Sequence, residues 1–390
     1  MKFLSVLTYY RPHTSGLTIY AERLAKALVR RGHQVTILTS QYDPTLAREE
    51  TIEGVRIVRA PVLFRISKGV VMPTFGWLAT KLVFEHDAIH LHLPQLDAAG
   101  VALRGRLLKK PTVITYHCDL QMPRGLLSWA ANQGINVMNF FAMLFSHRIV
   151  AYTEDYAEHS RLLKKYSNKI EVINPPVELP EISQQDTIAF LKEYNPDDKK
   201  PIIGMAARFA TEKGVEVLLG AVESLLSKYP KLQVWFAGPY KHILGEERYF
   251  ERLEPRIKKL ESSGNWRFLG LLNPKQMVSF YQTIDMLTLP SLNSTESFGL
   301  VQIEAMMNGK PVIASNLPGV RQPVMRHRMG EIIPIGDWSE LARAIDKITK
   351  TKSHYQVDEK ELRQIYSPDA VAKAYEILFM KIKRELTSDT

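Results

Sequence analysis

The chain has 390 residues, enough for two domains that each bury a core, and its 45% hydrophobic and 24% charged residues exclude a disordered or fibrous protein. The single cysteine, Cys118, excludes an intramolecular disulfide framework and a cysteine-based zinc site, which favours a reducing compartment. The formal net charge is +10, and most of the excess lies in residues 1–180. This asymmetry suits an anionic membrane, an acidic acceptor or nucleic acid, although scattered surface lysines explain it equally well.

The pattern of apolar runs in the first half of the chain predicts the strands of a parallel sheet, separated by segments long enough to form helices. We interpret the N-terminal run as the first strand rather than a cleaved leader, because Arg11-Pro12 follows at once and no small-residue cleavage site is evident. The predicted strands are rich in Val, Ile and Leu and read FLSVLT, HQVTILTS, VRIVRAP, DAIHLHLP, PTVITYH and RIVAYT. Such strands are typical of parallel sheets that are covered by helices on both faces.

The only long uncharged stretch, residues 125–146, has about the length of a membrane span. Within it, Asn132, Asn136 and Asn139 recur at helical spacing and form one polar stripe on an otherwise apolar helix. We therefore predict a buried or interfacial helix here rather than a membrane span.

The second half repeats the strand pattern with PIIGMAAR, LQVWFAG, WRFLGLL, DMLTLP and PVIASN. Between the halves, the segment INPPVELPEISQQDT predicts a linker near residues 177–200. A terminal helix is predicted with Ser367 as N-cap and Pro368 at its first position. We expect an α/β protein with domains 1–180 and 181–366, and with helix 367–390 packing back towards the first domain.

The segment SLNSTESFGLVQIEAM predicts a ligand site at a strand-to-helix loop, where open parallel sheets bind ligands. Phe298, Gly299 and Leu300 stand at the helix start, where free amides and the helix dipole favour an anion. Glu296 and Glu304 lie on either side and match hydroxyl groups better than phosphate. A diphosphate flanked by two sugars satisfies all of these groups. The alternative is a first-turn acid that favours the dipole and a solvated helix residue.

A second cluster lies in GMAARFATEKG, where Arg208 follows a strand and Lys213 precedes a helix. A guanidinium and an ammonium on one loop can grip a diphosphate from different sides in place of a metal. For Lys213 the alternative is an ordinary charge at a helix entry. The sequence has no Asp-x-Asp triplet to hold a divalent cation, and His90 and His92 are expected to fill a strand end, so we expect no metal and no cofactor.

Two residues of the first half are further candidates. Gly16 follows Ser15 at a helix entry and permits close backbone approach of a ligand, although a plain helix cap explains the same pattern. His117 ends the strand PTVITYH, and an imidazole there can hydrogen-bond a sugar hydroxyl or a carboxylate. Its neighbour Cys118 points to the opposite strand face, which argues against a Cys-His dyad.

In their order along the chain, these motifs resemble those of the retaining, nucleotide-sugar-dependent glycosyltransferases of family four, which have the GT-B fold. The resemblance covers nearly the whole chain. RRGHQVTILT is similar to the family's first helix-to-strand turn, VINPPVE to its linker entry, ARFATEKG to its Arg/Lys phosphate loop and ESFGLVQIEAMMNGKPVIAS to its Glu-x7-Glu segment. The chain departs from the family at Ser15-Gly16, where Gly-Gly is frequent, and at Pro175-Pro176-Val177, where many members have Pro-Gly.

The resemblance implies two facing Rossmann-like domains with the active site in the cleft between them. It makes Arg208 and Lys213 the diphosphate clamp, Glu304 the ribose acceptor and Glu296 the holder of donor-sugar hydroxyls. Amides of residues 298–300 would contact sugar and phosphate.

In the first domain, the resemblance puts His117 beside the donor sugar and Gly16 against phosphate. It makes His117 part of the catalytic set with Arg208, Lys213 and Glu296. It implies retaining, metal-independent transfer of a hexose-type sugar from a UDP-sugar, with a GDP-sugar as the competing donor. A front-face displacement fits, because no base flanked by a convincing nucleophile is found in the sequence.

Two other functions compete with this interpretation. A dinucleotide-dependent oxidoreductase would need a Gly-x-Gly turn, and the chain contains none. A non-catalytic sugar- or nucleic-acid-binding protein is the remaining alternative, favoured only by the basic first half.

The acceptor is expected to be recognised by the first domain. The segment VLFRISKGVVMPTFGWLATK interleaves cations with aromatic residues, namely Arg65, Lys68, Lys81, Phe64, Phe75 and Trp77. This mixture suits a membrane interface, and half-buried loop aromatics are the alternative. We expect a lipid, lipid-linked or saccharide acceptor, contact with an anionic membrane, a cytoplasmic location at the inner face of the membrane, and no nucleic-acid partner.

Overall fold

The computed structural model describes residues 1–66, 69–120 and 126–388. It divides into two compact units, one of residues 1–177 and 365–390 and the other of residues 178–364. The sequence-based boundaries, 180 and 366, lie three and two residues from these divisions.

The first unit contains ten strands and six α-helices among its described residues. The strands are β1 Lys2–Val6, β2 Gln34–Gln41, β3 Glu49–Ile52, β4 Val55–Pro61, β5 Phe64–Ile66, β6 Gly69–Val71, β7 Ala88–Leu93, β8 Thr112–Tyr116, β9 Arg148–Ala151 and β10 Ile170–Val172. The helices are α1 Gly16–Arg30, α2 Phe75–Glu85, α3 Ala98–Leu107, α4 Leu126–Phe145, α5 Glu154–His159 and, at the end of the chain, α14 Pro368–Ser388.

Eight of these strands form one sheet in the order β10-β9-β8-β7-β1-β2-β4-β3. All neighbours are parallel except the pair β3 and β4. Chain connections run outward in opposite directions from β1 and β7, so the carboxyl ends of these two strands mark the switch point where α/β sheets bind ligands. Strand residues of β1, β7 and β8 are buried in one apolar core with residues of α2, α3 and α4.

The terminal helix α14 packs on α1 within the first unit. Ser367 caps it, because its Oγ accepts the amide of Ala370 at 3.1 Å. Ion pairs hold the helix near its middle and near its C-terminal end: Arg31 lies 2.6 Å from Glu376, and Arg148 lies 2.8 Å from Glu385. The predicted terminal helix is therefore confirmed, including its cap.

The second unit contains six strands and eight α-helices among its described residues. The strands are β11 Ile202–Ala206, β12 Gln233–Ala237, β13 Trp266–Gly270, β14 Met286–Leu289, β15 Val312–Ser315 and β16 Gly330–Ile333. The helices are α6 Gln184–Tyr194, α7 Val215–Leu225, α8 Glu247–Ser262, α9 Pro274–Thr283, α10 Leu300–Met306, α11 Arg321–His327, α12 Trp338–Thr351 and α13 Glu359–Ile365, the last of which ends one residue beyond the unit.

The second sheet is entirely parallel and has the order β13-β12-β11-β14-β15-β16. Its connections diverge at the adjacent strands β11 and β14, which pair through Ile203 with Met286 and Gly204 with Leu287. The loops that leave β11 and β14 therefore flank the switch point of this sheet, where a ligand is expected on topological grounds.

Two expectations from the sequence need correction or refinement. The predicted linker extends only to the start of α6, whose capping box joins Ser183 and Asp186 at 3.2 Å and 2.9 Å. In α4 the polar stripe is only partly buried: Asn132 and Asn136 are half-buried, whereas Asn139 is fully buried and its Oδ1 accepts the amide of Gln95 at 3.2 Å. Gly125, where that helix was expected to begin, lies outside the described residues.

Candidate active site

The loop after β11 carries the two predicted cations. Its backbone is fixed by buried Phe209, whose amide donates to the carbonyl of Pro239 at 2.8 Å, and by a single turn of 3-10 helix from Thr211 to Lys213. Arg208 is ion-paired with Glu212 of the same turn, and its side chain keeps 40% exposure. A guanidinium is therefore available at the surface of this loop.

The second loop leaves β14 and runs from Pro290 to Gly299. Asn293 closes an Asx turn, since its Oδ1 accepts from the amide of Thr295 at 3.1 Å and from the hydroxyl of the same residue at 2.6 Å. The amide of Leu292 donates to the carbonyl of Glu212 at 2.9 Å, so the two loops are hydrogen-bonded to each other.

An ion pair joins the two loops at the centre of the candidate site. Lys213 Nζ lies 2.7 Å from Glu296 Oε2, with both side chains less than one-fifth exposed. These residues are 83 positions apart, and the sequence assigned them to different parts of the donor. With Arg208 already paired to Glu212, each cation has a carboxylate partner, so an anionic ligand would exchange carboxylate oxygens for its own.

Gly214 lets the two loops approach each other closely. Its φ is +69°, and a Cβ at this position would lie 2.1 Å from the carbonyl oxygen of Pro290. Only glycine fits such a contact without displacing backbone.

Helix α10 begins at Leu300, as the sequence predicted, and ends at Met306. Gly299 precedes it with a φ of +77°. Buried Gln302 holds this turn, because its Nε2 donates to the carbonyls of Phe298 at 2.6 Å and Val320 at 2.9 Å. Nothing in the sequence pattern distinguished this glutamine from an ordinary helix residue.

Glu304 stands farther along α10 and is half-buried. The hydroxyl of Tyr281, on α9, donates to its Oε2 at 2.8 Å. This bond fixes the carboxylate, and Tyr281 was missed in the sequence because the two residues are 23 positions apart on different helices. The side chain of Phe298 is buried, so the main chain is what this residue can offer to a ligand.

The remaining two candidates belong to the first unit. Gly16 is the first residue of α1, and the preceding Ser15 caps the helix by accepting the amide of Thr18 at 3.2 Å. Gly16 is exposed, and a Cβ at this position would meet nothing within 4 Å. The described structure therefore shows the helix cap that was the alternative interpretation.

His117 follows β8 and is buried. Its Nε2 lies 2.9 Å from Nδ1 of His92, and its Nδ1 lies 2.5 Å from the hydroxyl of Tyr152. Burial and, secondarily, the neighbouring His92 lower the pKa of His117 well below its usual value, so the ring is neutral. The sequence suggested that this imidazole can bond a sugar hydroxyl or a carboxylate, whereas both ring nitrogens here have partners inside the unit.

Within the described ranges, no group of three or more His, Cys, Asp or Glu side chains could hold a metal ion. Over the same ranges, no helix combines the length and the apolar character needed to cross a bilayer.

Comparisons with known proteins identify both units. Residues 14–180 match the family model described as Glycosyltransferase Family 4, and residues 186–365 match the model described as Glycosyl transferases group 1. The two matches together span most of the chain.

Similar proteins extend this result over the full length. The chain is 26% identical to an uncharacterised glycosyltransferase of Methanocaldococcus jannaschii, covering 96% of each chain. It is 23% identical to the phosphatidyl-myo-inositol mannosyltransferase of Mycolicibacterium smegmatis, covering 88% of this chain and 84% of that protein. The fold matches sucrose-phosphate synthase from Thermosynechococcus elongatus with a TM-score of 0.75 at 19% identity over the whole of both chains. The protein therefore belongs to the family 4 glycosyltransferases and has the GT-B fold of two Rossmann-like domains.

Proposed function

We propose that the protein transfers a hexose-type sugar from a nucleotide diphosphate sugar to a lipid or lipid-linked glycan, with the anomeric configuration retained and without a metal ion. A UDP-sugar is the favoured donor and a GDP-sugar is the competing one. The observation that carries the proposal is the meeting of Arg208, Lys213 and Glu296 on two hydrogen-bonded loops at the switch point of the second sheet.

The charges of this site suit a leaving diphosphate. Arg208 and Lys213 approach from one loop, and oriented cations stabilise the charge that develops as the glycosidic bond to phosphate breaks. Glu296, held by Lys213, accepts hydroxyls of the donor sugar, and main-chain amides of Phe298 to Leu300 bind sugar and phosphate. Glu304, fixed by Tyr281, accepts the ribose hydroxyls.

Two residues of the first unit are also assigned to the donor in this proposal. His117 lies beside the donor sugar, and Gly16 contacts phosphate. The acceptor approaches on the same side as His117. The departing phosphate assists the reaction by taking the proton of the acceptor hydroxyl.

A basic and apolar face of the first unit supports a lipid acceptor. Helices α2, α3 and α4 pack side by side, and together they contain three cations and a single acid, Glu85. Their exposed apolar side chains include Trp77 at 68% and Leu107 at 73% exposure. On α4 an exposed stripe at helical spacing consists of Val137, Phe140, Phe141 and Leu144.

The occupant that fits this face is an anionic membrane surface, because apolar side chains can enter the interface while the cations meet lipid headgroups. Lys81 lies 5.9 Å from the ring of Trp77 and places charge beside an aromatic anchor. The M. smegmatis relative is named a phosphatidyl-myo-inositol mannosyltransferase, and this name refers to a lipid, which favours the same class of acceptor. Lys68, expected to contribute here, lies outside the described residues.

The donor site is tested by titrating UDP, GDP and ADP against the protein with and without EDTA while following the melting temperature. A ligand that binds the native state raises that temperature by mass action, and EDTA is expected to leave the shift unchanged. Lys213→Ala is expected to weaken diphosphate binding by about tenfold to a hundredfold, the effect of losing a charge-assisted hydrogen bond.

The matched control is Lys228→Ala, because Lys228 is an ion-paired lysine of the same unit, 2.6 Å from Asp346. It should bind like the wild type. If both variants lose diphosphate affinity equally, or if the protein binds none of the nucleotides, the proposed donor site is wrong. Release of free nucleotide from a nucleotide sugar distinguishes an enzyme from a non-catalytic binding protein, and the anomeric coupling of the product reports retention.

Membrane contact is tested by sedimentation with phosphatidylglycerol vesicles at physiological salt. Leu107→Ser should reduce partitioning about fivefold, which corresponds to losing roughly 1 kcal/mol of apolar burial. Leu271→Ser is the control, because Leu271 lies in the second unit and is equally exposed at 75%. If the wild type does not bind the vesicles, or if both variants lose binding equally, this face is not the membrane contact.

A further inference from the structure

A chain of hydrogen bonds runs through the buried interior of the first unit behind His117. The hydroxyl of Tyr152 lies 2.5 Å from His117 Nδ1, His117 Nε2 lies 2.9 Å from His92 Nδ1, and His92 Nε2 lies 3.0 Å from the Oγ of Ser5. These four residues come from the ends or interiors of β9, β8, β7 and β1, and each is less than 9% exposed. We call them the histidine relay.

The relay permits only two neutral arrangements of its protons. A neutral imidazole carries one N–H, and the link between the two rings needs a donor on one side and an acceptor on the other. Either both rings carry the proton on Nε2, with Tyr152 donating and Ser5 accepting, or both carry it on Nδ1, with Ser5 donating and Tyr152 accepting. The two histidines must therefore share one tautomer.

Burial keeps the relay neutral. It lowers the pKa of His92 to about 3 and that of His117 well below its usual value, so neither ring is a cation at neutral pH. The ring of Tyr20, on α1, packs edge-on against His117 with centroids 5.0 Å apart. The orientation of His117 is thus fixed by hydrogen bonds in its own plane and by an aromatic ring perpendicular to it.

We propose that Tyr152 and His92 are positioning residues, which hold His117 in one orientation, and in the same tautomer as His92, at the carboxyl end of β8. The significance for catalysis rests on the proposed function, in which His117 lies beside the donor sugar. Under this proposal His117 contributes a fixed, neutral ring and the main chain around it, and it exchanges no proton with the substrate. Tyr152, which sequence analysis did not single out, becomes a determinant of sugar transfer.

Tyr152→Phe tests the proposal because it removes only the hydroxyl that bonds His117. Tyr166→Phe is the matched control: Tyr166 is a buried tyrosine of the same unit whose hydroxyl donates to the carbonyl of Phe140 at 3.0 Å. Both variants should lower the melting temperature similarly. Tyr152→Phe should also lower kcat by about tenfold or more, as expected when a group that contacts substrate is displaced.

Two further measurements make the role of positioning distinguishable from a merely structural one. The Kd for nucleoside diphosphate should be unchanged in Tyr152→Phe, since the groups proposed to bind it lie mainly in the second unit. Tyr166→Phe should keep at least half of the wild-type kcat. Wild-type kcat in Tyr152→Phe, or equal losses in both variants, overturns the proposal.

Nitrogen-15 spectra of the histidine side chains test the relay independently of any activity. At pH 6 the wild type should show His92 and His117 as neutral rings with the same tautomer. Opposite tautomers, or a doubly protonated His117, overturn the proposal even if sugar transfer is observed. A wild type that turns over no nucleotide sugar but shows the shared tautomer instead contradicts the proposed function and leaves the relay intact.

Discussion

Replacing Gly214 by Ala is a direct test of how the candidate site is assembled. Gly214 lies between the turn that bears Lys213 and the first helical residue of α7, and it has a φ of +69°. A Cβ added there would lie 2.1 Å from the carbonyl oxygen of Pro290, in the loop that bears Glu296. Because the obstacle is backbone, the two loops must move apart to admit the methyl group.

The cost has two parts that can be separated. A left-handed conformation costs an alanine about 1 kcal/mol relative to glycine. Forcing an extra carbon into a closely packed contact adds about 1–3 kcal/mol. The sum, about 2–4 kcal/mol, corresponds to a fall of roughly 5–15 °C in the melting temperature of a domain of this size.

The control for the conformational part is Gly270→Ala. Gly270 is in the same unit and has a φ of +68°, but a Cβ there would meet nothing within 4 Å. It should cost about 1 kcal/mol. Thermal unfolding followed by circular dichroism gives both values, and nucleotide titration shows whether Gly214→Ala also weakens diphosphate binding. Equal destabilisation by the two substitutions, or wild-type nucleotide affinity in Gly214→Ala, would refute the close contact between the loops.

Three further predictions concern buried polar groups. Burial lowers the pKa of His92 to about 3, so the unfolded chain binds more protons than the native protein between about pH 6.5 and pH 3. The contribution of neutral His92 to stability is complete above pH 6.5 and is lost as the pH falls, at up to about 1.4 kcal/mol per pH unit. Urea unfolding at pH 7 and pH 5 measures this loss together with those of His90 and His117, whose pKa values burial also lowers. Tyr281→Phe should weaken UDP binding several-fold but leave 2′,3′-dideoxy-UDP unaffected, because its hydroxyl fixes the ribose acceptor Glu304 at 2.8 Å; equal losses for both ligands would contradict this role. Tyr375→Phe should destabilise the protein by about 1–3 kcal/mol, because its hydroxyl joins α14 to Tyr20 at 2.6 Å and to Thr115 at 2.5 Å, and an unchanged melting temperature would show that the terminal helix is held otherwise.

The alternation of apolar strands and helical segments predicted most of the architecture correctly. The predicted strands of both sheets lie where expected, since continuous Val, Ile and Leu runs are typical of parallel strands that helices cover on both faces. The start of α10 at Leu300 and the cap of α14 were also predictable, because glycine and serine at helix ends act through local backbone chemistry.

The weaker local signals were misread or missed. The capping box at the start of α6, Ser183-x-x-Asp186, can be recognised in the sequence. It lies inside the predicted linker and indicates that a helix begins there. Strand β16 has only four residues, Gly330–Ile333, and pairs along one side only. Short edge strands of this kind give little periodicity to detect.

The sequence by itself determined the fold class, the two-domain organisation and the positions of Arg208, Lys213, Glu296 and Glu304 along the chain, because these follow from patterns within about twenty residues. The tertiary structure alone decided which groups touch. It pairs Lys213 with Glu296 across 83 residues, and it joins His117 to His92 and Tyr152 across 25 and 35 residues. Such contacts depend on which strands become neighbours in a sheet, and that choice is made by the packing of the whole domain rather than by any local preference of the chain.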